Sequence, residues 1–354
     1  MWSLRRGVGH SSGKLRALVP AVGRLAVAIW LMAAGAPAQE NPPTPGNGEA
    51  GEAYKVRSAV DLVLLDVTVE NEGGGFVAGL KQENFQIRED RRVQSVQVFK
   101  SQDVPVTIGL VVDNSQSMQP KRFEVAGAAI SFIQTCNPVD EFFVVNFNDT
   151  ASLGLPPGVP FSNDPEQLKR ALFRTTPEGK TALYDAMVLA LAHLEGGRFQ
   201  KKALVVIADG GDNASRGHTL DQVLVMIGKS SASIYSVVLD DPRDHEHQNP
   251  EVLKKFSQIS GGRFFRPASL SDTGNNCRTA AREIRAQYTL GYIPTNAARD
   301  GSFRRIEVKA SGPGQAKFRV RTREGYFAPA AENAGPSCKP AAAATLPGSG
   351  GEDP

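Results

Sequence analysis

The sequence predicts an α/β domain, a doubly wound and mostly parallel sheet with helices on both faces, inserted into a β-sandwich built from the segments on either side of it. Three observations lead there. Between residues 103 and 287, short apolar runs alternate with segments of helical periodicity, the pattern of doubly buried strands joined by crossover helices. The flanking segments, 54–102 and 288–328, instead alternate apolar and polar residues, as half-buried strands do. Each flank offers only about three strands, too few to bury a core alone, so the two halves are expected to join around the inserted domain.

In the first flank, residues 60–69 read as a strand, Gly73-Gly74-Gly75 as a turn, and 85–87 and 93–99 as further strands. The unbroken apolar run 106–112 is a strand buried on both faces. Phe123, Ala126, Ile130 and Ile133 recur at helical spacing and are expected on the buried face of a helix over 123–135. A strand over 142–145 follows, with a short edge strand near 152–155. Helices are predicted over 165–174 and 182–194, a buried strand over 203–208, a helix over 220–230 and a strand over 234–239. Gly261-Gly262 stops a helix over 251–259, and a short strand at 264–265 precedes a last helix over 276–286. In the second flank, 288–292, 303–308 and 317–327 read as strands. The pairs Phe142-Phe143 and Phe264-Phe265 are expected in the core, and Lys201-Lys202 and Arg304-Arg305 as exposed charges along strand edges.

Composition bounds the function. With 354 residues, 41% hydrophobic and 22% charged, the chain is globular rather than collagenous, coiled or disordered. Its formal charge is +3, but residues 1–38 hold five basic residues (Arg5, Arg6, Lys14, Arg16, Arg24) and no acidic one, so the remainder is mildly acidic. That excludes a polyphosphate partner held by charge, and no nucleic acid is expected.

The same first 38 residues read as a signal peptide. A basic stretch leads into an apolar run over 25–34, too short for a comfortable membrane span, and then into the A-x-A cleavage site Ala36-Pro37-Ala38. An exported protein is expected, periplasmic or extracellular, with no stable membrane span after leader removal. Residues 39–53 form a Pro/Gly/Glu linker and 329–354 an Ala/Pro/Gly/Ser tail, both disordered by composition. The three cysteines, Cys136, Cys277 and Cys338, match neither a zinc ribbon nor a disulfide framework. Cys136 ends one predicted helix and Cys277 lies near the start of another, on opposite rims if both helices run the same way, so no obligatory disulfide is expected.

Three segments carry chemistry. Asp113-Asn-Ser115-Gln-Ser117 follows the buried strand 106–112, at the carboxyl edge where open α/β sheets place their ligand sites. Its oxygens at alternate positions can turn towards one point, and hard cations take oxygen ligands. Taken alone the pattern reads equally well as a helix N-cap. Thr181 follows the turn Glu178-Gly179-Lys180, where its plain role is again a cap. Asp209, in Asp209-Gly-Gly-Asp212-Asn213, ends a second buried strand, where an Asx turn would suffice. Three oxygen-bearing loops at one rim exceed what capping needs.

With these residues the segment 104–287 resembles the von Willebrand factor type A domain family. Its metal-ion-dependent adhesion site combines D-x-S-x-S, a Thr on a second loop and an Asp on a third, matched here by Asp113, Ser115, Ser117, Thr181 and Asp209. The resemblance implies that Ser115 and Ser117 bind a metal directly, Thr181 directly or through water, and Asp113 and Asp209 mainly through water. It implies Mg²⁺, or Mn²⁺ or Ca²⁺, and a protein ligand presenting an Asp or Glu carboxylate to the open coordination position. Gly79-Leu80, Glu83-Asn84-Phe85 and Arg323-Glu-Gly-Tyr-Phe327 extend the likeness over nearly the whole mature chain, which resembles the bacterial VWFA-related domain family first catalogued in acidobacteria.

The expectation is therefore an exported, metal-dependent interaction module without catalytic activity. Two other classes are weighed against it. One is an envelope scaffold acting through its β-sandwich, with an inert metal site. The other is a metal-dependent phosphoryl hydrolase using Asp113; the missing acid two residues further on and the lack of a phosphate-clamping Lys count against it. His245-Glu246-His247 resembles a soft-metal site but reads as a solvated acidic loop.

Overall fold

The computed structural model describes residues 62–101, 103–239, 248–312 and 318–330. The predicted leader and linker, residues 331–354 of the predicted tail, His245-Glu246-His247 and Cys338 lie outside the described residues. The first two tail residues, expected to be disordered, are instead tied down, Pro329 O accepting from Gly301 N at 3.4 Å and Ala330 bridging Asp300. In chain order the first flank forms β1 (Val63–Glu70), β2 (Phe85–Glu89), β3 (Arg92–Gln94) and β4 (Val96–Lys100). The α/β region follows with β5 (Val106–Asp113), α1 (Arg122–Thr135), β6 (Glu141–Phe147), β7 (Ala151–Leu153), α2 (Pro165–Leu172) and α3 (Leu183–Glu195). It continues with β8 (Lys201–Ala208), α4 (Leu220–Lys229), β9 (Ser233–Val238), α5 (Pro250–Ser260), β10 (Phe264–Phe265) and α6 (Thr273–Ala286). The second flank adds β11 (Tyr288–Tyr292), β12 (Phe303–Ala310), β13 (Arg319–Arg321) and β14 (Gly325–Phe327).

The α/β region is built on a six-stranded sheet of order β10-β9-β8-β5-β6-β7. All its pairs are parallel except β6 with β7, which is antiparallel. Every residue of β5, β6 and β9 is buried, so both faces are covered, as the apolar runs require. Close strand packing leaves no room beside Gly109, where a Cβ would stand 2.4 Å from Phe143 Cζ. Register places the site: Val112 pairs with Ile207, so β5 and β8 release Asp113 and Asp209 at the same edge.

The flanking strands form two four-stranded sheets, β13-β1-β11-β4 and β14-β12-β2-β3, each drawing strands from both ends of the chain. Leu65 and Val67 of β1, Leu290 of β11, Ile87 of β2 and Val308 of β12 share one apolar core between them. Two segments predicted as single strands are each two. The run 93–99 breaks at Ser95 into β3 and β4, and 317–327 breaks at 322–324 into β13 and β14. In both cases the chain crosses from one sheet to the other, and alternation of apolar residues does not register a change of partner. At the second crossing the buried Arg323 donates to Gly325 O at 2.8 Å and to Gly228 O at 2.6 Å.

Three further expectations are corrected. Phe123 is not on the buried face of α1: it is 79% exposed, whereas Ala126 and Ile133 are buried. Lys202 and Arg304 are buried rather than exposed at strand edges. Each is partnered locally, Lys202 Nζ donating to Leu194 O at 2.6 Å and Arg304 pairing with Asp300 at 3.0 Å, which offsets part of the desolvation that a buried charge suffers. The cysteines behave as expected. Arg285, ending α6, donates to Thr135 O, ending α1, at 3.2 Å, so the two helices run the same way and Cys277 lies at the far end from Cys136. Both are free and buried; burial pushes the Cys136 thiol up, and the Cys277 thiol up to about 12.

An ion-pair network ties α6 to the flanking sheets. Glu283 is fully buried and accepts from Thr68 at 3.2 Å and Tyr235 at 3.4 Å. Arg321 of β13 lies 2.7 Å from its Oε1, and Arg263 Nε lies 2.8 Å from Oε2, an ion pair without hydrogen-bond alignment. Both arginines also meet Glu70 of β1. Removing one member of a buried pair leaves its partners charged and unpaired. Glu283→Ala is expected to lower the unfolding free energy by about 3–5 kcal/mol. Glu307→Ala, on an exposed position of β12, should change it by under ~0.5 kcal/mol. Urea titration of the two variants checks the contrast.

Candidate metal centre

Asp113 is the last residue of β5 and only 2% exposed. Its Oδ1 accepts from the Ser115 backbone N–H at 2.8 Å, an Asx turn that fixes the carboxylate plane. Its Oδ2 is buried and has no hydrogen-bond partner. Ser115 precedes a 3-10 turn, Gln116–Lys121, without capping it by a side-chain hydrogen bond, and Ser117 lies within that turn. Their hydroxyls lie 3.1 Å apart, and Ser117 Oγ donates to Asp209 Oδ2 at 2.9 Å. Asp209 repeats the arrangement of Asp113: Oδ1 accepts from Gly211 N at 3.1 Å, leaving Oδ2 for the serine. Each aspartate thus spends one oxygen on its own turn and keeps the other for the site.

Thr181 approaches on the third loop. Helix α3 starts at Leu183 behind Ala182, so Thr181 does not cap it. Thr181 is held through its backbone, donating to Asn213 Oδ1 at 2.9 Å and accepting from Asn213 N at 2.9 Å and Ala214 N at 3.0 Å. The structure shows no hydrogen bond from its hydroxyl to the other four groups. The loops are laced together: Glu178 N donates to Asn114 O at 3.0 Å, Gln116 N to Gly179 O at 3.1 Å, and Ala182 N to Asn148 O at 2.8 Å. Gly179 has φ +74°, and a Cβ there would meet Asp149 Oδ2 at 2.0 Å, where that carboxylate accepts from Lys180 N at 3.0 Å. Only glycine fits both the left-handed backbone and the close approach.

Burial first, and then the negative charge of Asp209, push the Asp113 carboxyl up to about 7; its hydrogen bonds with Ser115 and the charge of Lys121 pull the other way. Lys121 is buried and its ammonium donates to Leu239 O. The residues fit a hard divalent cation. All the donors are oxygens, two side chains are anionic, and one buried carboxylate oxygen has no proton donor. Among the described residues no group of three or more His, Cys, Asp or Glu side chains is placed to hold a metal ion, so the candidate centre relies on hydroxyl oxygens beside its two carboxylates.

All five residues singled out in the sequence lie on three adjoining loops, four of them in one hydrogen-bonded chain. The reading missed Asn213 and Asn148, which position Thr181 and its neighbour, and Lys121. Asn213 stands in the Asp209 loop, and an Asx residue beside a glycine pair was the available signal. Lys121 had none, because its role depends on reaching a carbonyl more than a hundred residues away.

Residues 108–211 match the family described as von Willebrand factor type A domain. No curated protein matches the chain. Among solved structures, it is similar to a von Willebrand factor type A protein from Catenulispora acidiphila, with 16% identity, 74% of each chain covered and a TM-score of 0.45. It is similar also to an aerotolerance-related membrane protein from Bacteroides fragilis, with 16% identity, 51% of this chain and 98% of that one covered, and a TM-score of 0.41. A third is proximal thread matrix protein 1 from the mussel byssus, with a zinc-occupied MIDAS motif, at 15% identity, 51% and 48% coverage and a TM-score of 0.41. The chain carries a von Willebrand factor type A domain, with the mixed sheet and flanking helices of that fold.

The raised Asp113 pKa sets a stability prediction for the metal-free protein. A carboxyl that keeps its proton to higher pH in the fold than in the unfolded chain adds no penalty below about pH 4, where both states are protonated. The penalty grows from there and is complete above about 7. Asp113→Asn removes it. In chelator at pH 8 the variant is expected to be more stable than the parent by about 1–3 kcal/mol, the gain shrinking towards pH 4. Denaturant titrations across that range measure it.

Proposed function

We propose that this protein is an exported, divalent-metal-dependent protein-binding module whose metal centre takes an acidic side chain of a partner. Ser115 and Ser117, with Asp113, Asp209 and Thr181, would hold Mg²⁺, Mn²⁺ or Ca²⁺. One observation carries the reading: the Asp209 carboxylate and the Ser117 and Ser115 hydroxyls form a hydrogen-bonded chain, and the Ser115 backbone holds Oδ1 of Asp113, whose other oxygen is buried with no donor. When bound, the cation supplies positive charge that neutral hydroxyls leave largely uncompensated, and with it an affinity for one more anionic oxygen. The chain's own part is to hold the hydroxyls and carboxylates in place with backbone hydrogen bonds and to present them at the sheet edge.

Export to the periplasm or cell surface rests on the basic, apolar and A-x-A segments of the leader. Among the described residues no helix is long and apolar enough to cross a membrane. The two flanking sheets are read as a β-sandwich into which the α/β domain is inserted, supported by strands from both flanks within each sheet.

Isothermal calorimetry with Mg²⁺, Mn²⁺ and Ca²⁺ tests the centre. One site is expected, with affinity reduced at least tenfold in Ser115→Ala/Ser117→Ala, a loss of about 1.4 kcal/mol or more. Saturating metal should raise the unfolding free energy by roughly 2.7 kcal/mol at a hundred times Kd. Uptake of none of the three ions by the folded chain would falsify the proposal. Envelope proteins retained in Mg²⁺ as well as in chelator, and equally by the double variant, would instead favour a scaffold acting through the flanking sheets.

A further inference from the structure

Phe123 is the most exposed large apolar side chain among the described residues, at 79%. Lone surface apolar residues are ordinary, but this one belongs to a built platform. Its ring lies 6.5 Å from that of Phe173. The Arg122 guanidinium stands 5.5 Å over the Phe173 ring and donates to Phe173 O at 3.1 Å and Thr175 O at 3.4 Å. Phe123 follows the loop of Ser115 and Ser117; Phe173 opens the loop that ends at Thr181. The two loops are then held side by side by the hydrogen bonds of Asn114 with Glu178 and of Gln116 with Gly179. Residues of both loops, Asp113, Met118 and Arg122 on one side and Leu172 and Pro177 on the other, line one small void beneath them. The aromatic pair is therefore fixed relative to the oxygen donors by the loops that carry both.

We infer that Phe123, supported by Phe173 and Arg122, is a second contact point for the partner, an extended segment of another protein that carries an acidic side chain and, three or four residues from it, an aromatic or large aliphatic one. The spacing follows from geometry. From Ser117 the chain runs along the 3-10 turn to Lys121 and into the first turn of α1, a path of about 11 Å at rises of about 2 Å and 1.5 Å per residue, which an extended chain covers in three or four residues at about 3.3 Å each. The chemistry is complementary: an anionic oxygen for the cation centre, and an apolar side chain to remove Phe123 from water. The inference rests on the metal-dependent reading above and adds the apolar half of the ligand.

The test is selection of a random linear peptide library on the immobilised protein in Mg²⁺, with elution by EDTA. Recovered peptides are expected to pair an Asp or Glu with Phe, Tyr, Trp or Leu three or four positions away. A synthetic peptide carrying both should bind about tenfold tighter than its acid-only version. On Phe123→Ser that preference should vanish, and Phe123→Leu should keep part of it; magnesium calorimetry on each variant serves as the fold control. Acid-bearing peptides recovered with no apolar preference, or with the same preference on Phe123→Ser, overturn the inference and leave metal-dependent binding standing. No acid-bearing peptide recovered in Mg²⁺ over EDTA overturns the reading of the centre, and this inference with it.

Discussion

Two carboxylates of like charge, Asp113 and Asp209, leave neighbouring buried strands at the same edge of the sheet, and the fold holds them close despite burial and repulsion. The proton that Asp113 keeps to about pH 7 records that constraint. Nothing in the local chain relieves it fully: Lys121 is within electrostatic reach, but its ammonium is occupied by Leu239 O. The surrounding loops take their shape from keeping this pair in place. Each aspartate is braced by an Asx turn, and the two turns are joined through Ser115 and Ser117.

The bracing is backbone-based. The loops carrying Ser115, Thr181 and Asp209 are held by N–H and carbonyl groups of Asn114, Gln116, Glu178, Gly179 and Asn213 rather than by salt bridges. Such contacts are short and directional, and salt screens them little. They fix the donors without adding charge near the two aspartates. The opposite choice is made between α6 and the flanking sheets, where Glu70, Glu283, Arg263 and Arg321 form a buried ionic cluster. There charge is balanced and joins elements far apart in sequence; at the Asp113–Asp209 pair it is left unbalanced.

Where the sequence misled, the reason is geometric. Helical periodicity says which residues share a face, not whether anything covers that face. Ala126 and Ile133 meet the core, but Phe123, in the first turn of α1, is 79% exposed and lies beside Phe173 from the loop after α2. Alternation likewise says which side chains point inward, not which sheet they belong to. The chain keeps the same pattern while crossing between sheets at Ser95 and at 322–324. Lys202 and Arg304 looked like surface charges because the carbonyl and carboxylate that accept their hydrogen bonds are not visible in the local pattern.

The sequence by itself determined the strand-and-helix order of the α/β domain, the sheet edge at which the candidate site lies and the five oxygen-bearing residues that gather on adjoining loops there. Those follow from apolar runs long enough to demand burial and from oxygen-bearing residues set where the strands end. Tertiary structure alone decided that Asp113 Oδ2 has no donor while Asp209 Oδ2 accepts from Ser117, how Thr181 is held without capping a helix, and how the flanking strands divide between two sheets. Each of these depends on groups brought together from distant parts of the chain, and neither periodicity nor spacing carries information about such meetings.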